Sequence, residues 1–188
     1  WAYKYEDYPN SEKFSHNNGN VETEIYDEGI YVGYRYFDTF EVPVRYGFGY
    51  GLSYTEFEIS DYCLKTVSAE KISISATVKN TGNVSGKEVV QVYASLPGGT
   101  LEKEAHRLCA YAKTRELKPG EKEKVTMEIS ADQLTSYDEK KAAWILEEGF
   151  YGIWMGNSLA SAKLCGGMKL DATATKRQVR NLFPLKQE

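Results

Sequence analysis

The chain has 188 residues and a formal net charge of -4, which speaks against the basic face that a nucleic-acid binder needs to neutralise phosphates. Its hydrophobic content of 41% is enough for a real core in one large domain, or in one ordinary domain with an extension. No apolar run approaches the length of a membrane span.

Cys63, Cys109 and Cys165 are odd in number and far apart in sequence, so neither a disulfide framework nor a zinc site is expected. Buried free thiols in a reducing, cytoplasmic compartment fit this pattern. The opening, Trp1 to Tyr8, has no apolar signal-peptide core. Dense in aromatics and without a Met, it reads as an internal stretch of something longer.

Residues 1–54 show little regular periodicity. Asn10, Ser11, Ser15, Asn17, Asn18, Gly19 and Asn20 predict a polar loop. Val21 to Tyr26 predicts a short strand, and Glu28-Gly29 a turn. A helical or irregular segment is expected through Phe37. Pro43 and the glycines from Gly47 to Gly51 punctuate a connector.

From Thr55 the character changes to short alternating runs bounded by turn signals, the spacing of a β-sandwich. Phe57 and Ile59 alternate with Glu56 and Glu58. Ile72, Ile74, Ala76 and Val78 give a period-two strand with one buried face, and Asn80-Thr81-Gly82-Asn83 a turn. Val90, Val92, Ala94 and Leu96 form the next buried face, which Pro97-Gly98-Gly99 ends.

Residues 101–115 fit either a helical stripe (Leu101, Ala105, Leu108, Ala112) or a strand at His106 to Ala112. Lys118-Pro119-Gly120-Glu121 is a turn, and Val125, Met127 and Ile129 alternate again. Ala131 to Tyr137 suggests a helical turn. Trp144-Ile145-Leu146, Glu147-Glu148-Gly149 and Phe150 to Met155 read as a hairpin, and Ser161 to Leu170 as a last strand. About seven strands in this span predict a mainly β fold, a fibronectin-III-like or immunoglobulin-like sandwich. The expected division is 1–54 as an extension and connector, 55–170 as the sandwich, and 171–188 as a linker or the start of another element. In that tail Lys176, Arg177 and Arg180 read as a solvated basic cluster.

No complete catalytic constellation is visible. His16 and His106 are the only histidines and lack ligand spacing, so no metal or cofactor is expected. There is neither a nucleophile elbow nor a phosphate-cradling loop. Glycosidase chemistry needs two carboxyl groups about 5 Å apart for retention. Asp27/Glu28 and Glu147/Glu148 are adjacent in sequence, so in a strand they would face opposite ways. Glu28 reads as a structural hydrogen-bonding residue, and Asn83-Val84-Ser85 as a chance sequon.

The densest feature is aromatic: Tyr31, Tyr34, Arg35, Tyr36 and Phe37, then Phe48 and Tyr50. Such rings can stack on sugars or anchor a domain interface, where Tyr is enriched. Composition favours the interface. Arg35 would stack there or pair with an acid.

Three stretches resemble the C-terminal part of glycoside hydrolase family 3 β-glucosidases. The first is Asp7-Tyr8-Pro9 with Tyr26-x-Glu28-Gly29-Ile30-x-Val32-Gly33-Tyr34-Arg35-Tyr36-Phe37-Asp38 and Tyr46-Gly47-Phe48-Gly49-Tyr50-Gly51-Leu52-Ser53-Tyr54. The second runs from Val78-Lys79-Asn80-Thr81-Gly82 through Glu88-Val89-Val90-Gln91-Val92-Tyr93. The third is Leu117-Lys118-Pro119-Gly120-Glu121. The resemblance covers essentially residues 1–170. It departs at Tyr46, where Pro is common, and at Glu148-Gly149, which replaces a usual Glu-Pro-Gly turn.

The resemblance implies that residues 1–54 are the last piece of an α/β sandwich domain and that a fibronectin-III-like domain follows. The nucleophile, an Asp on a TIM-like barrel, and the acid/base, a Glu of the α/β sandwich, would both lie outside this chain. Its partner would be the remainder of that enzyme, which hydrolyses β-glucosyl or related bonds with retention and meets the glycoside substrate. The chain alone would then be inactive. The tail Asn181-Leu182-Phe183-Pro184-Leu185 resembles the sandwich-to-barrel join of members with permuted domain order. The alternative is a free-standing carbohydrate-binding or protein-interaction module.

Overall fold

The computed structural model of the protein describes residues 1–14, 19–68 and 70–182. Among the described residues, ten strands follow one short α-helix. The helix, α1, spans Tyr34–Thr39, and the strands are β1 Phe57–Ser68, β2 Lys71–Asn80, β3 Val89–Ser95, β4 Arg107–Lys113, β5 Lys122–Ser130, β6 Ser136–Asp138, β7 Ala143–Leu146, β8 Gly149–Gly156, β9 Lys163–Leu170 and β10 Ala174–Gln178. Sheet order is β1-β2-β5 in one layer and β4-β3-β8-β9 in the other, with a small side sheet β10-β7-β6.

The alternating runs do what their period requires. Along β5 the pattern buries Val125, Met127 and Ile129 and exposes the residues between them, and β2 buries Ile72, Ile74, Ala76 and Val78. These meet Val90, Val92, Ala94, Ile153 and Met155 of the facing sheet in one core, the layer-on-layer solution for sheets with one apolar face. β3 is different. Gln91 and Tyr93 on its opposite face are buried too, so something covers the outside of that strand.

Two irregularities shape the layers. β1 slips register between Ser60 and Cys63, and Asp61 there has φ 53°, a left-handed bulge residue of the kind Asp tolerates. β4 slips against β3 so that Val92 pairs with Ala110 and Tyr93 with Leu108, leaving Cys109 over.

Several sequence expectations are corrected. Val21 to Tyr26 forms no strand: no neighbouring chain offers a ladder there, and Val21, Ile25 and Tyr26 stand exposed. Of the two readings open for residues 101–115, the strand is the one formed, at Arg107–Lys113. Trp144 to Met155 is not a hairpin. β7 pairs with β6 and β10, whereas β8 pairs with β3 and β9, so residues 147–148 carry the chain from one sheet to another. Within the tail expected to be a linker or the start of another element, Ala174–Gln178 form β10, which closes the side sheet, and Arg177 lies 5.5 Å from the Trp144 ring. Phe183 to Leu185, with Ser15 to Asn18, lie outside the described residues. The helical turn expected at Ala131 is a 3-10 turn, Ala131–Leu134.

Ile74 has no exposed surface and lies at the centre of the inter-sheet core. Ile74→Ala is expected to lower stability by about 2–5 kcal/mol through lost transfer energy and a residual cavity, read as a lower midpoint in urea unfolding.

Candidate functional site

What covers β3 is the aromatic segment. Gly33, with φ 62°, starts α1 and Glu41, with φ 53°, follows its end. Val42 N–H donates to Phe37 O at 2.9 Å, the six-to-one bond that closes a helix around a left-handed residue. On this short helix Tyr34, Phe37 and Asp38 share one face and Tyr36 and Phe40 the other, because residues three and four apart lie side by side.

The first face meets the sandwich. Tyr34 stacks on Phe48 at 4.2 Å and meets Tyr93 edge-on at 6.4 Å. Its hydroxyl accepts from Leu108 N–H at 2.9 Å. Thr39 Oγ1 accepts from Ala105 N–H at 2.9 Å. Asp38 Oδ2 lies 2.9 Å from His106 Nδ1, and the His106 ring meets Trp154 edge-on. Phe48 O accepts from Leu159 N–H at 3.0 Å.

Of the seven residues picked from the sequence, Tyr34, Arg35 and Phe48 touch the sandwich. Phe37 is buried against Tyr8. Tyr31 and Tyr36 both pack on Phe40, and Tyr50 on Tyr46. Burial, with the charges of Glu102 and Glu104, pushes the Tyr31 phenol up.

Arg35 does find an acid. Its Nε lies 3.6 Å from Glu104 Oε1. The Glu104 side chain is fully buried and is gripped by Arg107 at 2.7 and 3.0 Å. Burial pushes the Glu104 carboxyl up, but the hydrogen bond and charge of Arg107, with the charge of Arg35, outweigh it and hold the group below its ordinary value. Arg107 also donates to the carbonyls of Thr135 and Gln133.

A second buried acid holds the same loop. Glu147 accepts from Thr100 N–H at 2.7 Å and Thr100 Oγ1 at 2.8 Å, and it pairs with Lys103. Burial opposes its ionisation, and the bonds from Lys103 and Thr100 prevail, so its carboxyl too sits low. Sequence reasoning missed Glu104 and read Glu147 as turn. Glu104 stands among Glu102, Lys103 and Ala105 and Glu147 beside Glu148, so nothing local in the sequence marks these loop acids as enclosed.

None of this is a catalytic pair. Asp27 pairs with Lys13, Glu28 serves a turn through its carbonyl, which accepts from Tyr31 N–H, and Glu147 is occupied. Among the described residues no group of three or more His, Cys, Asp or Glu is placed to hold a metal ion. His16 lies outside them.

Phe40 of the second face looks outward, and so do large side chains of the connector that follows. Phe40, Tyr46, Tyr50, Leu52 and Tyr54 are 52%, 44%, 56%, 90% and 99% exposed. Beside them opens a cleft of ≈ 1240 Å³ lined by Trp1, Tyr8, Phe37, Pro43, Tyr50 and His106 among others. That exceeds the roughly 300–1,000 Å³ of sites that enclose small ligands.

Comparison with known proteins agrees with this architecture. Residues 88–159 match the family model for the fibronectin type III-like domain. A β-glucosidase of Ruminococcus albus is 44% identical over 184 residues, covering 95% of this chain and 19% of that protein. β-glucosidase A of Butyrivibrio fibrisolvens is 43% identical, covering 87% of this chain and 22% of its own length. Among solved structures, β-glucosidase 3B from Thermotoga neapolitana in complex with glucose superposes with a TM-score of 0.85 at 39% identity, over 93% of this chain and 24% of that one. The Kluyveromyces marxianus β-glucosidase in complex with glucose gives 0.83 at 33%, over 95% and 21%.

The fold and the matched segment make this a protein with a fibronectin type III-like β-sandwich domain. More particularly, it is related almost end to end to a portion of the glycoside hydrolase family 3 β-glucosidases, consistent with their C-terminal part. The chain spans about a fifth of the length of the curated relatives it matches.

Two outcomes follow from the geometry. Gly49 has φ +79°, and a Cβ there would stand 2.5 Å from Gln91 Nε2. That amide is held by Asn157 O at 2.9 Å and by the Tyr93 hydroxyl, so it has no room to yield. Gly49→Ala should cost more than about 1 kcal/mol, measured by thermal unfolding.

Glu104 titrates below its ordinary value of 4.5 when folded. Its contribution is therefore complete above that value and is lost as pH falls through the depressed folded one. Glu104→Gln should lower stability at pH 7 by about 3–5 kcal/mol, since it leaves Arg107 without its counter-charge. It should also flatten the acid limb of a urea-midpoint profile between pH 7 and 3.

Proposed function

We propose that this chain is a non-catalytic, bracing portion of a family 3 β-glucosidase-like enzyme. The whole enzyme would hydrolyse terminal β-D-glucosyl or related bonds with retention, using carboxylates that lie outside these residues. The remainder of that enzyme, a TIM-like barrel and the rest of an α/β sandwich, is the partner. Tyr31, Tyr34, Arg35, Tyr36, Phe37, Phe48 and Tyr50 form the joint between the domains.

The observation that carries this reading is the distribution of exposed large hydrophobic residues. Of 20 among the described residues, 14 fall within residues 1–54, so the exposed apolar surface is concentrated on that N-terminal part rather than spread evenly over the chain. A protein surface of that kind fits a macromolecular partner, and the relatives have about four-fifths of their length beyond the matched part. The three free cysteines support a reducing compartment for it.

The test is hydrolysis of an aryl β-glucoside by the purified 188-residue chain and by a longer polypeptide from the same gene. The longer protein should turn over and the chain alone should not. Turnover by the chain that disappears in Glu28→Gln would sink the proposal. Calorimetry with oligosaccharides should show no binding; millimolar affinity lost in Tyr34→Ala would instead favour a carbohydrate-binding module.

A further inference from the structure

The joint between the aromatic segment and the sandwich is built on half-buried backbone amides of the sandwich that find their acceptors in the segment. At the β4 bulge Leu108 N–H donates to the Tyr34 hydroxyl, and the carbonyl of the extra residue, Cys109, accepts from Gln133 Nε2. Two residues before the strand, Ala105 N–H donates to Thr39 Oγ1. Across the mouth of the same sheet, Leu159 N–H donates to Phe48 O. Three amides of the sandwich, from two separate loops and a bulged strand, thus end on three residues of the segment. An enclosed N–H left without an acceptor costs about as much as several ordinary packing contacts.

The contacts are reciprocal in shape as well. Tyr34 covers Tyr93, a fully buried β3 residue, and Gly49 approaches the Gln91 side chain so closely that no Cβ fits. Tyr93 and Gln91 are the residues that made the outer face of β3 read as buried.

We infer that the mouth of the sandwich, formed by the β4 bulge, the β3–β4 loop and residues 157–160, is a docking surface whose partner is the chain's own segment 31–50. The two fold and open as one cooperative unit. The folding boundary therefore lies not at residue 54 but upstream of α1, and the fibronectin type III-like strands are incomplete without it. Because the second face of α1 carries Tyr36 and Phe40, the sandwich also sets where the outward aromatic face stands. The use of that outward face rests on the function proposed above; the coupling itself does not.

Native-state hydrogen exchange on the intact chain tests the coupling. The amides of α1, of Ala105 and Leu108, and of β3 from Val90 to Ala94 should exchange through a shared opening, with protection agreeing within about an order of magnitude. Tyr34→Phe keeps the ring and removes the acceptor, and Thr39→Val keeps the shape and removes its oxygen. Each should speed exchange of all three groups together, by about tenfold or more. Tyr111→Phe, an exposed ring on β4, should move none of them.

The inference is overturned if the segment in the unaltered chain exchanges a hundredfold or more faster than β3, or if Tyr34→Phe speeds Leu108 alone. Protection in the unaltered chain decides the matter even if a variant does not fold. None of these readouts depends on glucosidase activity, so failure of the functional proposal and failure of this one are told apart.

Discussion

Glu104 has a side chain cut off from solvent, and a carboxylate so placed has to be matched by charge and hydrogen bonds or it neutralises. Arg107 supplies both from three residues along the chain. The same guanidinium then reaches the carbonyls of Gln133 and Thr135, so the 3-10 turn before β6 is tied to the start of β4. Arg35 approaches from α1. One buried charge thereby fixes the relative position of a strand, a turn and a helix that are distant in sequence. Glu147, with Lys103 and Thr100, ties the middle of the β3–β4 loop to the step between β7 and β8. The loop that α1 docks against is thus held at two places by buried acids.

That rigidity explains the composition of the segment. A ring with a polar tip can fill the space over β3 and also answer an N–H, which is what Tyr34 does. A glycine is required where the backbone must come within reach of Gln91, which is what Gly49 does. The Tyr-and-Gly density, which in the sequence fits an interface better than a sugar platform, is thus used, on one side, for close approach to a fixed surface. On the other side the rings remain uncovered, and this asymmetry separates a joint from a simple linker.

The strands were legible wherever one face is buried and the other wet. β2 and β5 could be read from alternation because nothing except period two places Ile72, Ile74, Val125 and Met127 on one side. The hairpin expected at Trp144 to Met155 failed for a reason outside its own residues. Two apolar runs around Glu-Glu-Gly look the same whether they pair with each other or with strands elsewhere, and β6 and β10 lie outside that window. β10 was hidden by its charges, although Arg177 is accommodated over Trp144. Val21 to Tyr26 shows the converse: strand propensity with no neighbour to pair with makes no strand.

The sequence by itself determined the layered β fold, the turns at Asn80 to Asn83 and Lys118 to Glu121, and the importance of the run around Tyr34, because periodicity, turn chemistry and aromatic density are local properties. Only the tertiary structure decided that Glu104 and Glu147 are enclosed, that Tyr34 answers an amide of β4, and that α1 turns one face inward and one outward. Each of these depends on groups brought together from far along the chain, and burial of a charge or satisfaction of an amide is set by that meeting rather than by the residue's own neighbours in sequence.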